Sequence, residues 1–153
     1  MIVNRQRRIR VPARSLERFT REAMALLRLP SDSLTVCFVT DGAMARWNRT
    51  YRGKDRPTDV LSFASDDKGF RLKSGGSRNG AQAARAAATY LGDIAIAPAV
   101  ARANALRFGR TLEDEMRILI LHGILHLMGY DHETDTGQME RRERRLRRAL
   151  GLA

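Results

Sequence analysis

Cysteine is almost missing from this chain. Cys37 stands alone, so no intramolecular disulfide can form and a reducing compartment is expected. No apolar run is long enough to span a bilayer; the longest, ILILHGILHLMG, is interrupted by two histidines. The basic start, MIVNRQRRIR, leads into no apolar segment, so no signal peptide is expected and the reading is cytoplasmic. No internal repeat is visible. Acid is also in short supply, with 17 Asp and Glu against 28 Lys and Arg and a net charge of +11. Of those 28 cations, 25 are arginine, whose planar fork of donors matches phosphate. That excess suits a polyanionic partner, although arginine-rich codon usage would also produce it.

What remains reads as one domain over residues 1–153, ordinary in hydrophobic content and long enough for one core. A short apolar start at Ile2 and Val3 precedes a helix expected from Ser15 as N-cap, with Leu16, Phe19, Ala23, Leu26 and Leu27 as its buried stripe. LTVCFVT, Leu34 to Thr40, reads as a strand. Asp41 is expected to cap a second helix whose packed face is Met44, Trp47, Asn48 and Tyr51. After a polar loop, Arg52 to Thr58, come a strand in DVLSF and a Ser-, Gly- and Ala-rich segment over about 64–90 that reads as a flexible surface loop. LGDIAIA, Leu91 to Ala97, resumes strand character. Helices then follow from Pro98 to about Phe108, from Thr111 through a long apolar stretch, and from roughly Thr136 to Leu150. The pattern predicts an α+β fold with a small mixed sheet of about four strands packed by helices.

The sharpest absence is one glutamate. All three histidines lie in HGILHLMGYDH, His122 to His132, with the ligand spacing of a metzincin-type zinc peptidase. In that motif the residue after the first histidine is the glutamate base; here it is Gly123. His122 and His126, four apart on a helix, share a face, and Gly129 can take the left-handed turn that returns His132 to the same ion. Three protein ligands leave one tetrahedral position open, the arrangement of a catalytic zinc, and one Zn2+ per chain is expected. Without the glutamate, amide hydrolysis lacks its base. A phosphodiester is more accessible chemistry, because zinc polarises a phosphoryl oxygen, cations absorb the charge, and RNA brings its own 2′-hydroxyl. The missing base and the arginine surplus point the same way.

HGILHLMGYDH resembles the signature of the YbeY-type endoribonucleases, zinc-dependent bacterial rRNA-maturation factors. YRGKDRPTDVLSF, Tyr51 to Phe63, and LGDIAIA match in order and type, and a looser likeness runs over nearly the whole chain. The resemblance implies a single-strand-specific endoribonuclease in 16S rRNA 3′-end maturation and ribosome quality control. It also implies a fold distantly like the metalloproteases, with the zinc on a long central helix. The partners it implies are single-stranded RNA, 16S rRNA and the ribosome or small-subunit assembly proteins, with no membrane. By position it places the zinc ligands on His122, His126 and His132 and a functional, phosphate-holding arginine on Arg52.

Other candidates have two readings. Asp131 either orients a ligand or stabilises the turn after Gly129. Asp59 and Asp93 suit strand-end hydrogen bonds better than a cleft, and Trp47 and Tyr51 suit core packing better than base stacking. The last helix surrounds an apolar line of Met139, Leu146 and Leu150 with arginines, of which Arg141, Arg144, Arg145 and Arg148 are candidate RNA contacts. Two rival functions stand beside the nuclease: a zinc peptidase with its base supplied from elsewhere, and a non-catalytic RNA-binding assembly factor.

Overall fold

Four short apolar stretches build the sheet: β1 (Ile2–Asn4), β2 (Leu34–Phe38), β3 (Val60–Ala64) and β4 (Gly92–Ile96). The computed structural model describes residues 1–65 and 90–152; the loop expected over about 64–90 lies, apart from its two ends, outside them. The strand order is β1-β2-β4-β3, with β1, β2 and β4 parallel and β3 antiparallel to β4 at the edge. Among the described residues five helices complete the fold: α1 (Ala13–Leu26), α2 (Asp41–Arg52), α3 (Pro98–Phe108), α4 (Leu112–Leu127) and α5 (Gln138–Ala149). This is the expected α+β architecture.

The central strands are buried along their full length because both faces are covered. Val36 and Phe38 of β2, with Ile94 and Ile96 of β4, pack on one side against Leu16 and Phe19 of α1 and Ile120 and Ile124 of α4. The alternate residues Cys37, Val39, Ala95 and Ala97 face the other side, where Met44 of α2 closes over them.

α4 is apolar nearly all round because it touches α1, α3, α5 and the sheet. Thr111 caps it by accepting from the Asp114 N–H, as its sequence predicts.

Three expectations fail locally. Ser15 is not an N-cap: α1 starts two residues earlier, after Pro12, and Ser15 instead hydrogen-bonds Glu113 and accepts from Arg117, joining α1 to α4. Leu26 is exposed, because the helix ends there and Leu27 turns into the core in its place. Thr40, not Asp41, caps α2 through its hydroxyl, leaving Asp41 as the first helical residue.

Candidate metal centre

Two helical turns place the first two histidines. His122 and His126 project from the last two turns of α4, with their Nε2 atoms 3.1 Å apart. The helix then ends in a left-handed turn. Gly129 has φ of 98°, its N–H donates to the His126 carbonyl, and Tyr130 N–H reaches back to Leu125. That reversal carries His132 back to the pair. One ring nitrogen from each of the three imidazoles falls within 4.8 Å of the other two. These donors suit a divalent ion that prefers nitrogen, and all three rings line one cleft. Three histidines can hold a metal ion here.

The ring nitrogens turned away from this centre are also engaged. His126 Nδ1 donates to the Tyr130 carbonyl at 3.0 Å, and His122 Nδ1 to Glu143 Oε1 at 3.2 Å. Burial first, then the neighbouring His122 and His132, hold His126 below the usual histidine value. That shift favours the neutral ring, the form in which imidazole binds a metal. For Glu143, burial pushes the carboxyl up, but the hydrogen bond from the His122 ring and the neighbouring Arg147 cation outweigh it, and the net shift is downward.

A cleft of about 760 Å³ opens over the histidines, with β3 and the end of α2 as its other wall. Ser62 of β3 donates to the Gly123 carbonyl at 3.3 Å, joining that wall to α4. Phe63 holds α2 in place through edge-on contacts with Trp47 and Tyr51, at ring distances of 6.1 and 5.2 Å. Tyr51 is exposed and lines the cleft, contrary to the core role its spacing suggested, with its ring edge-on to Phe63. Arg52 is the final residue of α2, ended by the left-handed Gly53. Its guanidinium enters the same cleft and meets Glu133 at 3.1 Å.

Asp131 serves the turn: its carboxylate accepts from the Glu133 N–H at 3.0 Å, and its carbonyl accepts from Thr134 and Asp135. Asp59 accepts from the Val60 N–H and from Asn104, bracing the start of β3 at the cleft edge. Asp93 is buried and bonded to Tyr90. Arg141, Arg144, Arg145 and Arg148 all lie exposed on α5, with Arg144 paired to Glu140 at 2.7 Å. Glu143 is the residue that sequence reasoning missed. A signal was present, since Met139, Glu143, Leu146 and Leu150 follow the spacing of one helical stripe and Glu143 is the acid within it.

Gly123 is buried and does not line the cleft. A Cβ there would meet Cδ1 and Cγ2 of Ile94 at 2.9 Å. The glycine is thus required by the approach of α4 to β4, whatever its consequence for catalysis.

The profile of the family Endoribonuclease YbeY matches residues 1–151. The chain belongs to the YbeY endoribonuclease family. Endoribonuclease YbeY of Solibacter usitatus is 41% identical over 146 residues, spanning 94% of this chain and 82% of that protein. The Aquifex aeolicus member is 35% identical over 133 residues, spanning 86% of this chain and 76% of its own length. The solution structure of TM1509 from Thermotoga maritima superposes with a TM-score of 0.58, at 24% identity, over 98% of this chain and 89% of that one. That likeness shows the fold and nothing further. Among the described residues no helix is long and apolar enough to cross a membrane.

Proposed function

We propose that this chain is a zinc-dependent endoribonuclease that cuts single-stranded RNA, acting in 16S rRNA 3′-end maturation and ribosome quality control in the cytoplasm. The observation that carries the reading is the meeting, in one cleft, of three converging imidazoles and the Arg52 guanidinium. His122, His126 and His132 would hold one zinc, which when bound supplies a Lewis acid for a phosphoryl oxygen.

The rest falls to the chain's own groups. Arg52 holds a non-bridging phosphate oxygen, for which a guanidinium with five donors and one contact to Glu133 is well supplied. Tyr51, exposed beside it, offers a ring face to a neighbouring base. Duplex RNA keeps its bases stacked and its backbone wound, so a cleft that needs the phosphate at its floor favours single strands. The exposed arginines of α5, Arg141, Arg145 and Arg148 with Arg144 in part, extend the cationic surface for rRNA on the ribosome or in complex with small-subunit assembly proteins.

Cleavage of a single-stranded RNA spanning the 16S 3′ end, against the same RNA annealed to its complement and against an unfolded polypeptide, tests the reading. Only the single strand should be cut, and a chelator should stop it. Proteolysis without RNA cleavage would contradict it.

A further inference from the structure

The geometry points to Glu143 as a positioning residue that fixes the ring of His122 toward the metal, so that α5 is part of the metal site. This inference rests on the reading of the three histidines as ligands. His122 and His126 present Nε2 toward each other, at 3.1 Å, and turn Nδ1 outward. A neutral imidazole has one ring N–H, and a ligand nitrogen must be the other one. The proton therefore belongs on Nδ1 in both rings. His126 gives it to the backbone carbonyl of Tyr130, which comes with the turn itself. His122 gives it to the Glu143 carboxylate, 21 positions away on another helix.

Glu143 is well placed for that task. Its side chain is 14% exposed, and Arg147, one turn on, meets its second oxygen at 3.6 Å. One carboxylate oxygen thus faces the imidazole while the other is braced by a cation. The stripe position at 143 would ordinarily be apolar, as at Met139 and Leu146, both buried. A carboxylate in that line loses hydration and gains nothing from packing, so its partner is what accounts for it. A ligand histidine donating to a carboxylate is held in one tautomer and made more basic, and losing such a partner lowers metal affinity by about 10–100-fold.

The test uses zinc alone, with affinity measured by competition against a chromogenic chelator, and cobalt substitution as a report on ligand geometry. Glu143→Met keeps the helix and the bulk but removes the acceptor. Glu143→Gln keeps an acceptor oxygen without the charge. Glu143→Met should bind zinc about 10–100-fold more weakly than the parent, with altered cobalt absorption in the visible, and Glu143→Gln should recover most of both. A merely structural role would lower the unfolding temperature of the metal-free protein and leave the cobalt spectrum of the folded protein unchanged. If Glu143→Met does not fold, Glu143→Asp, too short to reach Nδ1, takes its place. Parental affinity and an unchanged spectrum in the variant would overturn the inference about Glu143. Failure of the parent itself to bind zinc would instead overturn the reading of the histidines.

Discussion

Gly123 lies so close to the Ile94 side chain that a Cβ on it would come within 2.9 Å of two carbons. Ile94 is fully buried and β-branched, so its room to give way is small. The glycine that interrupts the peptidase motif is therefore a contact between α4 and β4, directly behind the first histidine.

Replacing that glycine should be costly despite the gain in helix propensity. Gly123→Ala gains up to about 1 kcal/mol of propensity, but overpacking a tight core costs about 1–3 kcal/mol, so a net loss is expected. Gly123→Glu adds a buried charge and should lose far more, without creating proteolysis. Denaturant midpoints of the parent and both variants check this. A more stable Gly123→Ala would mean that the α4–β4 contact is looser than it looks.

The start of α5 carries a pH dependence. Asp135 accepts from the Gly137 and Met139 N–H groups at 2.9 and 2.8 Å, and these bonds, Met139's first, hold its carboxyl below the ordinary 3.8. A carboxyl depressed in the folded state stabilises it above the unfolded value, and the effect is lost as pH falls through the folded value. Asp135→Ala should therefore lower the unfolding temperature at neutral pH, with the gap to the parent closing once pH drops below that range. A gap that persists in strong acid would assign the effect to something other than the charge.

Arg52 should separate charge from fold. Its ion pair with Glu133 is exposed, and such pairs contribute about 0–1 kcal/mol, so Arg52→Ala should keep its stability and its metal. Cleavage should fall by about 10-fold or more, an amount equal to roughly 1.4 kcal/mol of lost transition-state stabilisation. Arg52→Lys should recover only part, since a point charge lacks the two-pronged geometry. Full activity in Arg52→Ala, or loss of folding, would remove this role.

Much of this was legible in the sequence, for definite reasons. Periodicity placed the strands and α3 because β-branched runs and a Pro98-to-Gly109 frame are local signals. The histidine spacing located the metal centre because ligand geometry on a helix followed by a glycine turn is itself local. What failed was decided at a distance. Ser15 has the chemistry of a cap, yet its hydroxyl is taken up by Glu113 and Arg117 on another helix. Tyr51 shares the spacing of a core face, but it stands exposed at the cleft wall, with its ring against Phe63 of the edge strand. Glu143 was hidden among arginines, and only the packing of α5 against α4 shows that it faces His122. For Asp131 the sequence left two roles open, orienting a ligand or bracing the turn, and its carboxylate accepts from the Glu133 N–H of that turn.

The metal itself makes a separate prediction. With three imidazoles converging, the purified protein should carry about one zinc per chain, and His126→Ala should lose most of it together with the stability that binding confers. Elemental analysis and thermal unfolding with and without a chelator check both. Full zinc occupancy in His126→Ala would sink the ligand assignment.

The most direct measurement titrates zinc into the chelated protein and follows cleavage of a single-stranded RNA alongside bound zinc per chain, for the parent and for His122→Ala purified identically. The parent's cleavage rate should rise in proportion to bound zinc and level off at about one per chain, while His122→Ala stays near background throughout. Equal cleavage by the two proteins, or cleavage that does not depend on zinc, would contradict a metal-centred nuclease built on these three histidines.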